Sequence, residues 1–184
     1  MKFLSLILIT CFSITLSSAH AEEVTQKPET VEELTKVLYD SFDDEQREKF
    51  GRILAAHSII KSTTHTMGIL KGAVTSCRKH QPELKSEINK DYKQFESQIN
   101  PIMKTARGAL KRTLKLAEVL PYKEMNTYLK KVDDEALAKH ESIELIPPTN
   151  IEDCTRFHEK IKQENETSRL KDTLNKAFGF EVKD

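Results

Sequence analysis

The chain has 184 residues and carries 29 basic and 29 acidic side chains, so its formal net charge is zero. A balanced charge excludes a strong overall attraction to nucleic acid or to an anionic membrane surface, and we expect neither as a partner. Charged residues make up 32% of the chain, glycine numbers only five and tryptophan is absent. Because this composition favours helices over turns and strands, we predict an all-α protein.

The first 21 residues have the pattern of a secretory signal peptide. Lys2 precedes an almost uninterrupted apolar run over 3–16, and Ala19 and Ala21 place small residues at the two positions that a signal peptidase reads. We therefore predict cleavage after Ala21 and a location in the periplasm or outside the cell. The apolar run is too short for a membrane span, and no later stretch is long and apolar enough, so we expect no membrane-spanning segment.

Removal of this 21-residue peptide leaves 163 residues, enough for one domain with a hydrophobic core. We expect a flexible polar tail over 22–29 and a single helical bundle domain over 30–180. Thr30 opens the first short helix, because Thr30 and Glu33 together form a capping-box pattern.

A long second helix is predicted from the next capping signal to Lys79. Either Asp43 or Asp44 offers its N-cap. Apolar residues then recur at steps of three and four from Phe50 to Cys77, which places Cys77 on the inward face of one amphipathic helix.

A third helix of similar length is predicted over about 83–120. Pro82 lies in its first turn, where the missing N–H costs no hydrogen bond. Pro101 lies inside this helix and predicts a kink. Pro121 ends it and opens a fourth, shorter helix.

The last part of the chain is predicted to hold a connector and a fifth helix. The connector is extended and covers 142–148, and Thr149 or Asn150 caps the helix that follows. The stretch 162–169 is entirely polar and predicts an exposed or frayed helix end. We expect 170–178 to form one or two last amphipathic turns.

Cys77 and Cys154 are the two cysteines outside the predicted signal peptide, and in an oxidising compartment such a pair is expected to form a disulfide. The second and third helices, each roughly 55 Å long, predict an antiparallel hairpin. The fourth helix and the extended connector then return the chain to the end of the hairpin where Cys77 lies. The predicted fold class is therefore an antiparallel helical bundle, a long helical hairpin plus shorter helices, with one disulfide.

Four residues around the two cysteines form a candidate metal site. The patterns Cys77-x2-His80 and Cys154-x3-His158 each place a sulfur and an imidazole on one helix face. Together they offer a tetrahedral set of ligands for zinc or copper. Two alternatives stay open, namely a structural disulfide flanked by two exposed histidines and a redox-active thiol pair.

His57 lies in the apolar seam of the second helix, between Ile53 and Ile60. One interpretation is a core or boundary histidine that is hydrogen-bonded to a neighbour. The other is a buried ligand for haem or a metal ion inside the bundle. A noncovalent haem needs a second inward ligand, for which Met67 or Met103 is available.

The stretch 42–47 reads Phe-Asp-Asp-Glu-Gln-Arg and resembles the Leu-Thr-x-x-Gln-Arg motif of the Spy/CpxP-type periplasmic helical chaperones. Phe42 and Asp43 stand in place of the leucine and threonine, and the chain has no second copy of the motif. The chain also resembles these chaperones in its size, its helical character and its predicted compartment. The resemblance implies a helical chaperone of the periplasm.

No motif of a catalytic nucleophile, a zinc protease or a phosphate-binding loop occurs in the chain, and we do not expect an enzyme. We predict a secreted or periplasmic binding protein, a chaperone-like scaffold for a protein partner of unknown identity. The alternative is a periplasmic bundle that binds zinc or haem. If the protein binds neither zinc nor haem, we expect it to have no cofactor.

Overall fold

The structure is a computed structural model that describes residues 30–116, 119–141, 146–162 and 165–178. The predicted signal peptide over 1–21 and the predicted tail over 22–29 lie outside the described residues. The described part is helical and contains no β-strand, so the predicted all-α class is confirmed.

Six α-helices follow one another within the described residues, and a short 3-10 turn at Pro82–Leu84 precedes the third of them. Their bounds are α1 Val31–Ser41, α2 Asp44–His80, α3 Lys85–Leu116, α4 Tyr122–Glu141, α5 Ile151–Ile161 and α6 Asn165–Phe178.

The helix starts are fixed by polar side chains that satisfy free backbone N–H groups. Thr30 caps α1 and forms the predicted capping box with Glu33. Asp43, rather than Asp44, caps α2, and its side chain accepts a hydrogen bond from the backbone N–H of Gln46. Asn150 caps α5 in the same way.

The two long helices α2 and α3 lie antiparallel and form the predicted hairpin. The 3-10 turn connects them at one end, and the guanidinium of Arg107 on α3 donates to the hydroxyl of Thr64 on α2 further along. Helices α5 and α6 lie in succession against the hairpin, α5 at the connected end and α6 towards the open end. The antiparallel hairpin with shorter helices packed along it is therefore confirmed.

Helices α1 and α4 pack against each other near the open end of the hairpin. The hydroxyl groups of Thr35 on α1 and Tyr128 on α4 are hydrogen-bonded at 2.6 Å. The backbone N–H of Val31 donates to the carboxylate of Glu135 at 3.2 Å. Tyr128 also packs its ring on the buried ring of Phe50, which joins the α1–α4 pair to the core.

Two hydrophobic clusters fill the bundle. The larger cluster occupies the open half of the hairpin and includes the fully buried Phe50 and Leu174. The smaller cluster surrounds the two cysteines at the connected end and includes Ile88. Among the described residues, none of the helices combines the length and the apolar character that a membrane span requires.

Two predicted helix bounds were wrong. Helix α3 ends at Leu116, short of residue 120. The last helix, α6, begins at Asn165 inside the polar stretch and has fourteen residues, whereas only one or two turns over 170–178 were predicted. The reason is that Leu170, Leu174 and Phe178 recur every four residues and bury one continuous face against the hairpin, which stabilises a complete helix.

Candidate functional site

The predicted disulfide is present at the connected end of the hairpin. Cys77 and Cys154 are fully buried, their Cα atoms lie 5.6 Å apart, and their sulfur atoms are bonded. Two hydrogen bonds hold the end of the connector beside them. The hydroxyl of Ser76 donates to the carbonyl of Pro148, and the amide of Gln81 donates to the carbonyl of Thr149.

The two histidines of the candidate metal site occupy different environments. His80 is exposed at the end of α2, whereas His158 is only 4% exposed. The expectation that the disulfide is flanked by two exposed histidines was therefore wrong for His158. Its Nε2 atom lies 2.7 Å from the carboxylate of Asp91 on α3, a contact that buries the imidazole with its hydrogen bond satisfied.

The sulfur–sulfur bond removes the two thiolates that a metal site at Cys77, His80, Cys154 and His158 requires. Within the described residues, no group of three or more histidine, cysteine or acidic side chains is arranged to hold a metal ion. Zinc binding at these four residues therefore requires reduction of the disulfide, and it stays a prediction for the reduced protein only. Haem binding at His57 also stays a prediction. Metal analysis and a visible spectrum of the purified protein are their test.

His57 lies at the boundary of the core, where it is 8% exposed. Its Nε2 atom is 2.7 Å from Oδ1 of Asp133 on α4, while Nζ of Lys61 is 2.6 Å from Oδ2 of the same carboxylate. This geometry fits the hydrogen-bonded interpretation of His57. Burial raises the pKa of Asp133, but the hydrogen bonds from Lys61 and His57 outweigh burial and hold this pKa below its ordinary value.

The same arrangement occurs a second time in the bundle. His158 on α5 and Lys162, the C-cap residue of that helix, both approach the carboxylate of Asp91, at 2.7 Å and 3.7 Å. We call the two sets the first His–Asp–Lys cluster (His57, Asp133 and Lys61) and the second His–Asp–Lys cluster (His158, Asp91 and Lys162). In both, a histidine and a lysine four residues apart share an aspartate from another helix.

Sequence reasoning missed both clusters. The spacing His-x3-Lys is visible at 57–61 and at 158–162. The aspartates, however, lie 76 and 67 residues away from their histidines. No local pattern identifies such a partner, so the tertiary structure was needed to find it.

An open apolar cavity lies between α2, α3 and the end of α6, and we call it the end pocket. Its volume is about 380 Å³. Apolar side chains form most of its lining, namely those of Ile53, Ala109, Leu116, Ala177 and Phe178. Leu116 is 76% exposed at the rim, so a large apolar side chain borders the opening.

Three cationic side chains also line the end pocket, from Lys49, Arg52 and Arg112. Lys49 pairs with Glu45, and Arg52 pairs with Glu48. Arg112 has no ion-pair partner within the described part of the chain. The pocket therefore combines apolar walls with a positive rim, an arrangement that suits an apolar group carrying negative charge nearby.

No protein-family model, no curated protein and no solved structure matches this chain. The resemblance to periplasmic chaperones therefore rests on the stretch 42–47 together with size, helical character and predicted compartment. In the structure, Asp43 and Gln46 of that stretch form a reciprocal capping box at the start of α2. Arg47 donates to the carbonyl of Tyr39 and pairs with Asp44. These residues thus have local structural roles at a helix start.

Proposed function

We propose that this chain is a helical binding protein of an oxidising, extracytoplasmic compartment, and that it holds an apolar, acidic segment of a partner protein in the end pocket. The observation that carries the proposal is the open apolar cavity of about 380 Å³. This volume falls within the range of roughly 300–1,000 Å³ that is usual for binding pockets.

The compartment is inferred from two independent features. The first 21 residues have the pattern of an export signal. The disulfide between Cys77 and Cys154 is of a kind that persists in oxidising compartments and is rare in the cytosol. Both features support a location in the periplasm or outside the cell.

The chemistry of the pocket supports an acidic apolar partner. Leu116 offers apolar area that an incoming apolar side chain would bury, and burial of such area is the main source of affinity. Arg112 at the same rim has a guanidinium without an ion-pair partner in the described residues. An aspartate or glutamate beside the apolar side chain of the partner would pair with it.

The experiment is a binding titration with two short dye-labelled peptides. In one peptide, phenylalanine and leucine alternate with glutamate; in the other, lysine replaces glutamate. We expect the acidic peptide to bind more tightly, with saturation and a fluorescence anisotropy change. Equal binding of both peptides would remove the charge argument, and binding of neither would contradict the proposal.

Two variants connect the binding to the end pocket. Leu116→Asp places a carboxylate at the rim, and we expect it to weaken binding of the acidic peptide about tenfold or more. The matched control is Leu137→Asp on α4, because Leu137 is also exposed and does not line the pocket. Arg112→Gln should reduce the preference for the acidic peptide over the basic one.

A functional readout follows from the chaperone-like prediction. We expect the protein to slow the aggregation of a reduced, unfolding client protein, and we expect Leu116→Asp to weaken this effect while Leu137→Asp leaves it unchanged. An identical loss in both variants would indicate a general surface effect and would contradict a role of the end pocket.

A further inference from the structure

The second half of α3 carries positive charge that the neutral total of the chain conceals. Between Ser97 and Leu116 there are five basic residues and no acidic one. All five are exposed in the structure, namely Lys104, Arg107, Lys111, Arg112 and Lys115. The balanced composition therefore does not exclude a local site for an anion.

Three of these cations form a ladder of like charges on one side of α3. Arg107, Lys111 and Lys115 lie four residues apart, a spacing at which like charges on a helix repel each other. The helix dipole favours cations only in the last turn, so it accounts for Lys115 and not for Arg107. A stability argument alone therefore does not explain the ladder.

Arg107 and Lys111 line a cleft between α2, α3 and α4, which we call the basic cleft. Its volume is about 380 Å³. Four cationic side chains border it, from Lys61, Arg107, Lys111 and Lys130. Leu110, Leu114 and Leu129 also line it, so the cleft has an apolar part beside its charges.

The carboxylates near the basic cleft do not neutralise it. Lys61 pairs with Asp133, and Lys130 pairs with Asp134. Four lysine and arginine side chains against these two carboxylates leave an excess of two positive charges. Lys111 makes no ion pair within the described residues, and one nitrogen of the Arg107 guanidinium is fixed by Thr64 while the others face no carboxylate there.

We propose that the basic cleft binds a small organic molecule that carries a phosphate or sulfate group. Arg107 and Lys111 hold the oxyanion, because a guanidinium and an ammonium together provide charge-assisted hydrogen bonds to tetrahedral oxyanions. The leucine side chains of the cleft contact the organic part of the ligand. The first His–Asp–Lys cluster holds α4 and α2 together at this cleft, since Asp133 and His57 both line it. This site is separate from the end pocket, which Arg112 and Leu116 line.

The test is calorimetric titration of the full disulfide-bonded protein with phenyl phosphate, inorganic phosphate and phenol. We expect phenyl phosphate to bind, inorganic phosphate to bind more weakly, and phenol not to bind. Lys111→Gln and Arg107→Gln should each weaken phenyl phosphate binding about tenfold, the usual effect of removing one charged hydrogen-bond donor. The matched control is Lys90→Gln, which removes the same charge from an exposed position of α3 outside the cleft.

Three outcomes would overturn the proposal. One is the absence of binding heat for phenyl phosphate at millimolar concentration. Another is an equal loss of affinity in Lys90→Gln, which would indicate unspecific charge attraction. The last is binding to vesicles of phosphatidylglycerol without binding to phenyl phosphate, which would indicate a lipid surface. Circular dichroism and thermal melting of each variant confirm that a loss of binding does not result from unfolding.

Discussion

The imidazole of His57 on α2 and the carboxylate of Asp133 on α4 are joined by a contact of 2.7 Å at the boundary of the core. Lys61 binds the other oxygen of the same carboxylate at 2.6 Å. Helix α4 contacts the long hairpin at few places, mainly through its apolar residues. The polar contact at Asp133 therefore fixes the position of α4 along α2. Asp133 is therefore the shared partner of His57 and Lys61.

We expect Asp133→Ala to lower the free energy of unfolding by about 1–3 kcal/mol, because it leaves a buried imidazole without its hydrogen-bond partner. Urea denaturation at neutral pH measures the change. The control is Asp134→Ala, since Asp134 and its partner Lys130 are largely exposed. An exposed ion pair of this kind contributes less than about 1 kcal/mol. Equal effects of the two substitutions would contradict a special role of Asp133.

Asp133 should also make the stability of the protein depend on pH. The pKa of Asp133 lies below the ordinary aspartate value of 3.8 in the folded protein, because the hydrogen bonds from Lys61 and His57 outweigh the effect of burial. The folded state therefore binds the proton less tightly than the unfolded state. Asp133 therefore stabilises the folded state fully at pH values above its ordinary pKa. This stabilisation is lost as the pH falls through the lower pKa of the folded state.

We thus expect the difference in unfolding free energy between the wild type and Asp133→Ala to shrink as the pH is lowered from about 7 to about 2. Denaturation curves at several pH values give this difference directly. A difference that stays constant over the whole range would mean that the charge of Asp133 does not contribute.

The disulfide is expected to contribute more than either His–Asp–Lys cluster. It closes a loop of 77 residues, for which the chain-entropy model gives about 4 kcal/mol. Replacing both Cys77 and Cys154 by serine should therefore lower the melting temperature markedly while the far-ultraviolet circular dichroism stays helical. An unchanged melting temperature would contradict a structural role of the bond, and a thiol count under denaturing, non-reducing conditions checks its presence in the wild type.

Much of the fold could be predicted from the sequence because it depends on local chemistry. The caps at Thr30, Asp43 and Asn150 each use a side chain that bonds to a backbone N–H three residues away. The pairing of Cys77 with Cys154 was predicted because they are the two cysteines outside the predicted signal peptide. The helix lengths agreed with this pairing, since a rigid hairpin of known rise fixes which ends meet. The sequence was thus sufficient to predict a contact where the two residues lie close in sequence or on long, rigid helices.

The candidate sites were far less predictable, because they depend on distant partners. Asp133 and Asp91 approach their histidines only after the helices pack. The end pocket requires the end of α6 beside α2 and α3, and the length of α6 was underestimated. The ladder of Arg107, Lys111 and Lys115 was present in the sequence, but a net charge taken over the whole chain concealed it.

Helix α6 provides the last test, because its importance for the core was not expected. Leu174 is fully buried in the larger cluster, although the first turn of its helix is entirely polar. Leu174→Ala should lower the free energy of unfolding by about 2–5 kcal/mol, the usual cost of such a cavity. Leu137→Ala on α4 is the matched control, since Leu137 is 55% exposed and should change stability by less than about 0.5 kcal/mol.

If Leu174→Ala changed the stability no more than Leu137→Ala, α6 would not be packed against the hairpin in solution. The end pocket would then lose the wall that Ala177 and Phe178 supply, because both residues belong to the same helix. If α6 is packed as in the structure, Leu174→Ala should lower both the stability and the affinity for the acidic peptide. A variant that lost stability but kept full peptide affinity would show that peptide binding does not depend on the packing of α6.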